Sequence, residues 1–481
     1  MSLDTFGFDP ASYSIAINLF IRLLGALYIF VFLPFLWQMK GLFGKNGIRP
    51  IQTFIDNIRL RFGKKGIYYV PSLFWIKASD SALLALIWAG IVLGTLLMFG
   101  IYPTVVLFLL YIVHLSLTTA GQDFLSFGWE TFLLETTLGS FLLLATTPYN
   151  SFAWIGLNLL IFRFHFQAGA SKIMSQDRNW RNLTALSYHY LSQPIPNTQA
   201  WFFHKLPMWF HKASCVMMFY MELIVPFAIF APPELRLFAF IQLIGLQFFI
   251  WFTGNFSYLN HMTVVLCLLL LNNCYLSPFI SAPAILEPSP LLWSWAIDLA
   301  ALAFLVLQFI CLVSPYFPRR IFREILVWVE PFHLAYPHGI FAVMTTKRIE
   351  IIIEGSNDGI TWKEYEFYHK PGDLSRRPKR ISPFQPRLDW QAWFLPLGRQ
   401  WNEWWFQSFL TKLLVGSPDV LKLLRHNPFH EKPPNFIRAL AYDYEYTTFK
   451  EKKERGHWWK RRFVGFYSPA LQLTNRNASN P

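Results

Sequence analysis

A chain of 481 residues that is 54% hydrophobic and 19% aromatic, with a mean hydropathy of +0.32, is not an ordinary soluble protein. Its net charge of +14 is unevenly placed: residues 1–313 carry 16 Lys/Arg against 12 Asp/Glu, and residues 314–481 carry 26 against 16. The basic tail points to anionic lipid head groups or an acidic partner, and nucleic acid is set aside because no nucleic-acid motif accompanies the charge.

Apolar runs of about 20 residues, enough to span a bilayer, fall at 15–37, 82–100, 102–119, 131–148, 152–170, 213–232, 235–253, 260–279 and 291–313. They predict about nine membrane helices. Glu135 interrupts the fourth run, and Arg163 and His165 the fifth. The first run is too long for a signal peptide and lacks a basic leader, so it reads as a retained helix. The connection 38–80 holds eight Lys/Arg and two acids. Within it, PIQTFIDNIRLRF reads either as an amphipathic helix lying on the membrane or as a solvated basic loop. By the positive-inside rule, loops 38–80 and 171–212 are cytoplasmic, which with nine helices puts the tail in the cytoplasm too. Cys215, Cys267, Cys274 and Cys311 lie in or beside apolar runs with no CxxC, so no disulfide framework is expected.

The stretch 159–212 departs from the apolar pattern. It carries Arg163, His165 and Lys172 along one helix, then a loop dense in Trp, His, Arg and Pro. Charges at membrane depth are expensive and face a cavity or a partner. His165 and Lys172 are seven residues apart and share a helix face, while Arg163 points away from it. Lys172 either snorkels to the interface or sits desolvated, where a lysine can act as base or nucleophile. Glu130 and Glu135, in GQDFLSFGWETFLLET, are candidate partners for Arg163 or Lys172. Glu222 sits mid-helix and needs a partner. The helix break at GNFSYLNH, which includes Asn255, is tolerated at membrane depth only against protein or a water-filled cavity. These residues form a candidate intramembrane polar cluster: Arg163, His165, Lys172, Glu135, Glu222 and Asn255. His189, His204 and His211 lack metal-ligand spacing, and HKLPMWFH is not HExxH, so no metal and no cofactor is expected. Paired broken helices in two matching halves, the mark of many transporters, are not seen.

Beyond Pro315 the pattern changes to strands. Arg348–Glu354, SNDG and Ile360–Tyr368 read as a hairpin. Phe406–Leu424 reads as a helix, and AYDYEYTTF with GHWWKRRFVGFYSP as paired strands. The fold class is a multi-pass α-helical membrane domain over 1–313, followed by a β-rich, β-sandwich-like domain over 314–481.

FGWETFLLET, the run from AGASKI through WRNLTALSYHYLSQPIPN to the WFH of 209–211, MELIVPF and GNFSYLN resemble the lipase maturation factor family. In the tail, YEFYHKPGDLSRRPKRISPFQPRLDWQAWF, LLRHNPF and HWWKRRFVGFYSP are similar to that family's C-terminal blocks, in the same order. The resemblance runs from about 120 to 470. It implies a membrane-embedded folding factor for secreted lipases, in the endoplasmic reticulum membrane of a eukaryote or the cytoplasmic membrane of a bacterium. The tail would then face the lumen and bind the client, through Trp390, Trp393, Trp404, Trp405, Trp458 and Trp459 and the basic run Arg376, Arg377 to Arg380. Membrane lipids are the other expected partner. More distantly, AGASKIMSQDRNW resembles a segment of the vitamin K-dependent γ-carboxylase and its membrane relatives, with Lys172 where that enzyme has its catalytic base. This implies shared membrane architecture. The alternative it opens is an enzyme with Lys172 as base, His165 and Glu135 as neighbours, and a lipid or quinone-like substrate.

Overall fold

The computed structural model describes residues 9–146, 148–280, 294–339, 341–398 and 403–473. Its N-terminal region is helical: α1 (Ser14–Phe32), α2 (Asp80–Met98), α3 (Pro103–Ala120), α4 (Gly128–Leu144), α5 (Ser151–Met174), α6 (Met208–Leu223), α7 (Pro233–Thr253), α8 (Leu259–Cys267) and α9 (Ser294–Val313), with further helices in the connections. Caps mark the starts. The Ser79 hydroxyl accepts from Ala82 N ahead of α2, and the Asn150 side chain from Ala153 N ahead of α5.

Among the described residues, six helical segments are long and apolar enough to cross a membrane: Pro10–Phe32, α2, α3, Met208–Phe230, α7 and α9. The expected count of about nine is not reached on these terms. α4 and α5 carry buried charged side chains, and α8 ends after nine residues in a 3-10 turn. Residues 291–293 of the last expected run lie outside the described residues.

Helix crossings are close where small residues meet, as membrane helix pairs allow. A Cβ on Gly25 of α1 would lie 2.4 Å from Met98 N and 2.6 Å from Gly94 O of α2. The basic segment Ile51–Phe62 is a helix, and it turns Ile51 and Ile55 into the protein.

The C-terminal region holds antiparallel sheets, but not the β-sandwich of the sequence reading. A four-stranded sheet runs in the order β2 (Lys363–Glu364), β1 (Arg348–Ser356), β5 (Phe436–Tyr446), β6 (Trp459–Gln472). A separate two-stranded ribbon pairs β3 (Glu366–Phe367) with β4 (Leu424–His426). The expected SNDG hairpin is present, with Glu354 opposite Glu364. Its second strand is broken at Tyr365. The helix expected over 406–424 stops at Leu414 and is followed by a separate one-turn helix, Pro418–Leu421, and by β4.

Among the described residues, helix and loop rather than a second large sheet cover both faces of the four-stranded sheet. Strand alternation puts Ile351, Ile353 and Ile437 in a core with Phe406, Phe409 and Leu410 of the helix Trp404–Leu414. Ile352, Tyr444 and Trp459 face the other way and pack on Leu191 and Trp201. The second face thus rests on the conspicuous loop 171–212, which is folded into short helices.

Candidate functional site: buried ion pairs and a cavity beside Lys172

α5 separates its charges onto two faces. Arg163 points toward α4, α9 and the segment after it. Its guanidinium is paired with Glu135 and donates to Gln308 Oε1 at 2.7 Å and Tyr336 O at 2.6 Å. Glu135 also accepts from Tyr336 N at 3.0 Å, and His338 Nε2 lies 3.4 Å from its carboxylate. His338 N in turn donates to Gln167 Oε1, one helical turn beyond Arg163.

On the opposite face, Lys172 meets α6. Its ammonium lies 2.8 and 3.0 Å from the two oxygens of Glu222, and it donates to Ala168 O at 3.0 Å. Both side chains are buried. Gly169 makes the approach possible: a Cβ there would lie 2.8–2.9 Å from Leu223 and from the Glu222 Cβ. His165 shares the Lys172 face, as the seven-residue spacing predicts. Its Nδ1 donates to Ile161 O at 2.9 Å. Its Nε2 is then the acceptor for Gln247 Nε2 at 3.3 Å, and Gln247 Oε1 accepts from Asn260 Nδ2 at 2.8 Å.

His165, Lys172 and Glu222 line a cavity of about 440 Å³ together with Gln247, Asn260 and His189. Most of the remaining wall is Phe, Met and Leu, including Met217, Met218 and Met221. Burial, with the Lys172 charge a smaller contribution, lowers the pKa of His189 to about 4 and keeps it neutral.

The cluster expected as one is therefore divided. Glu135 belongs with Arg163, away from Lys172. Asn255 belongs to neither. Its side chain donates to Ile195 O and Lys379 O and accepts from Ile381 N and Ser382 N. It thereby ties the helix break to the loop and to the tail. Gln193 and Asn197 cap the same break by donating to Thr253 O and Phe252 O, and Pro196 bridges Gly254. The enzyme reading gains no support from this arrangement, because the Lys172 ammonium is held by Glu222 and Glu135 is engaged elsewhere.

The tail residues expected at an exposed surface need correction as well. Trp390, Trp405, Trp458 and Trp459 are buried. Trp393 is half-buried and donates through Nε1 to Ser192 O. Arg376 donates to Phe367 O and Lys370 O, and Arg377 to the Thr198 hydroxyl. Of the six tryptophans only Trp404 is largely exposed. These groups hold the tail together and fix it to the loop.

Three residues missed by sequence reasoning complete the attachment. Arg387 forms an ion pair with Glu130 at 2.8 Å, and His114 Nε2 lies 2.9 Å from the same carboxylate. Arg348 donates to the carbonyls of Leu191, Gln193 and Pro194 and pairs with Glu350, which also holds Lys370. The sequence offered one signal, Arg387 being embedded in the block PRLDWQAWF.

Residues 15–277 match the family model of the lipase maturation factor transmembrane domain, and residues 334–469 that of the lipase maturation factor C-terminal domain. The chain belongs to the lipase maturation factor family. It is 32% identical to human lipase maturation factor 1, over 94% of this chain and 87% of that protein. It is 30% identical to lipase maturation factor 2 of Xenopus laevis, over 96% and 83%, and 30% identical to the human protein of that name, over 95% and 82%. No solved structure matches it. The family and the six apolar helices make the chain an integral membrane protein.

Proposed function

We propose that this protein matures secreted lipases from a membrane-anchored platform. The observation that carries the reading is the match of both regions, across nearly the whole chain, to proteins named lipase maturation factors. The compartment follows the host: the endoplasmic reticulum membrane of a eukaryote, or the cytoplasmic membrane of a bacterium. The client's contact moves from the buried tryptophans to β6. This is the outer strand of the large sheet, and an edge strand presents unpaired backbone groups to an extended chain. β6 displays Phe463 and Phe466, 50% and 68% exposed, beside the exposed Arg462.

The deciding experiment compares secreted lipase activity per unit of lipase protein in the native host, with and without the gene. The expected result is a fall in specific activity with lipase synthesis unchanged. Unchanged specific activity overturns the proposal. The edge-strand reading has its own check, the double variant Phe463→Ser/Phe466→Ser. Exposed substitutions change stability by only about 0.5 kcal/mol, so the variant should remain folded while specific activity falls. Full activity would remove β6 from the client surface.

A further inference from the structure

The cavity beside Lys172 is bounded by α6 and α7, with α5 behind. α7 and the segment Met208–Phe230, which begins with α6, are largely exposed and of membrane-spanning length, and the cavity lining includes Met217 and Phe249, 52% and 56% exposed. An apolar chain can therefore enter sideways from the bilayer. Its volume of about 440 Å³ is within the range of small-molecule sites, about 300–1,000 Å³. Three methionines on one wall supply soft, unbranched surface that adapts to a flexible guest.

Charge narrows the guest. The ionised groups on the lining are Lys172 and Glu222, and they neutralise each other. His165 is held neutral, because its Nδ1–H donates a hydrogen bond to Ile161 O and its Nε2 accepts one from Gln247. A carboxylate or phosphate head would enter without a free counter-charge, which is costly in a site of this polarity. Hydrogen bonding, in contrast, is available. Asn260 is buried, and its Oδ1 has no hydrogen-bond partner among the described residues. A hydroxyl would supply the missing donor.

We propose that this cavity binds a neutral acyl lipid, an uncharged hydroxyl-headed amphiphile, with its chain between α6 and α7 and its head toward Gln247 and Asn260. The site is a binding site, and no covalent step is assigned to it. It stands apart from the maturation reading, since a lipid binds there whether or not a lipase is the client.

The test uses the full chain in nanodiscs, with a diazirine-bearing monoacylglycerol and the fatty acid of the same chain length as probes. Adducts are mapped by mass spectrometry. The expected result is monoacylglycerol adducts concentrated on α5, α6 and α7 lining residues, displaced by unlabelled monoacylglycerol, with the fatty acid labelling these positions about tenfold less. Met221→Trp and Ala168→Phe fill the cavity from two different walls. Either one, with its thermal transition retained, should lower labelling to the level of the outward face of α2. The competition arm on the unaltered chain stands even where both variants misfold. Labelling that is uniform over exposed helices, that resists competition, or that favours the fatty acid overturns the proposal.

Discussion

Lys172 and Glu222 have a value as a pair that neither has alone. Both are buried, so removing one partner strands a charge, a change that costs about 3–5 kcal/mol, whereas replacing both with apolar groups of similar size is often neutral. Lys172→Met should therefore lower the thermal transition of the detergent-solubilised protein sharply. Lys172→Met/Glu222→Leu should recover most of it. A double variant as unstable as the single one would show that the ammonium serves some purpose besides neutralising Glu222. A second residue-scale effect concerns His204, in the loop beneath the sheet. Its Nδ1 donates to Ser187 O, and its ring lies against Tyr446. Burial first, and the neighbouring Lys205 charge second, lower its pKa from 6.5 to about 4. The unfolded state takes up the proton first as pH falls, so the neutral ring's stability is present above pH 6.5 and is lost progressively toward about pH 4. Protection factors for hydrogen exchange at the Tyr446 end of β5, taken against the intrinsic rate at each pH, should fall over that window, and His204→Gln should flatten the dependence.

Among the elements, helix contacts depend on a few glycines whose neighbours are backbone. At Gly25 the nearest atoms are Met98 N and Gly94 O, neither of which can rotate aside. Gly25→Ala should force α1 from α2 and destabilise the protein by about 1–3 kcal/mol, read as a lower midpoint of thermal aggregation. The same substitution at Gly245, which has nothing within 4 Å, should leave it unchanged. How far the sequence could be read follows from the range of each signal. Apolar runs and caps are local, and the helices lie where those runs fall. The His165–Lys172 face follows from spacing within one helix. Their partners Glu222 and Gln247 come from other helices, so no spacing along α5 could point to them. The pairing of Glu135 was narrowed to two cations, and only the packing of α4 against α5 selects Arg163. The tail tryptophans were misread because a dense aromatic segment has the same composition inside a core as on a surface. The β-sandwich expectation failed for a related reason: strand alternation shows that a sheet has two faces to cover, and here loop 171–212 and a helix cover them.

For the molecule as a whole, the tail is built into the bundle. The motif blocks distant in sequence, SQPIPN, GNFSYLN and RRPKRISP, meet at Asn255. Arg387 reaches Glu130, and Arg348 closes the loop carbonyls. A platform of this kind holds its outer strand at a fixed place relative to the helical bundle, which a tethered, freely moving domain could not do. Arg348 is the residue whose loss tests that idea most directly. Arg348→Ala leaves three buried carbonyls without their donor and Glu350 with one cation fewer, and each unmet buried polar group costs about 1–3 kcal/mol. β1 keeps its full register with β5 from Arg348 to Ser356, so the sheet itself should survive. The seam between sheet and loop should open. Limited proteolysis should then cut within the loop 171–212 at protease concentrations that leave the unaltered chain intact, while far-ultraviolet circular dichroism stays the same. If a fixed platform is what maturation requires, secreted lipase specific activity should fall with the seam open and β6 unaltered. If cleavage appears and activity persists, the attachment serves stability alone, and the sheet can present its edge without being held in place.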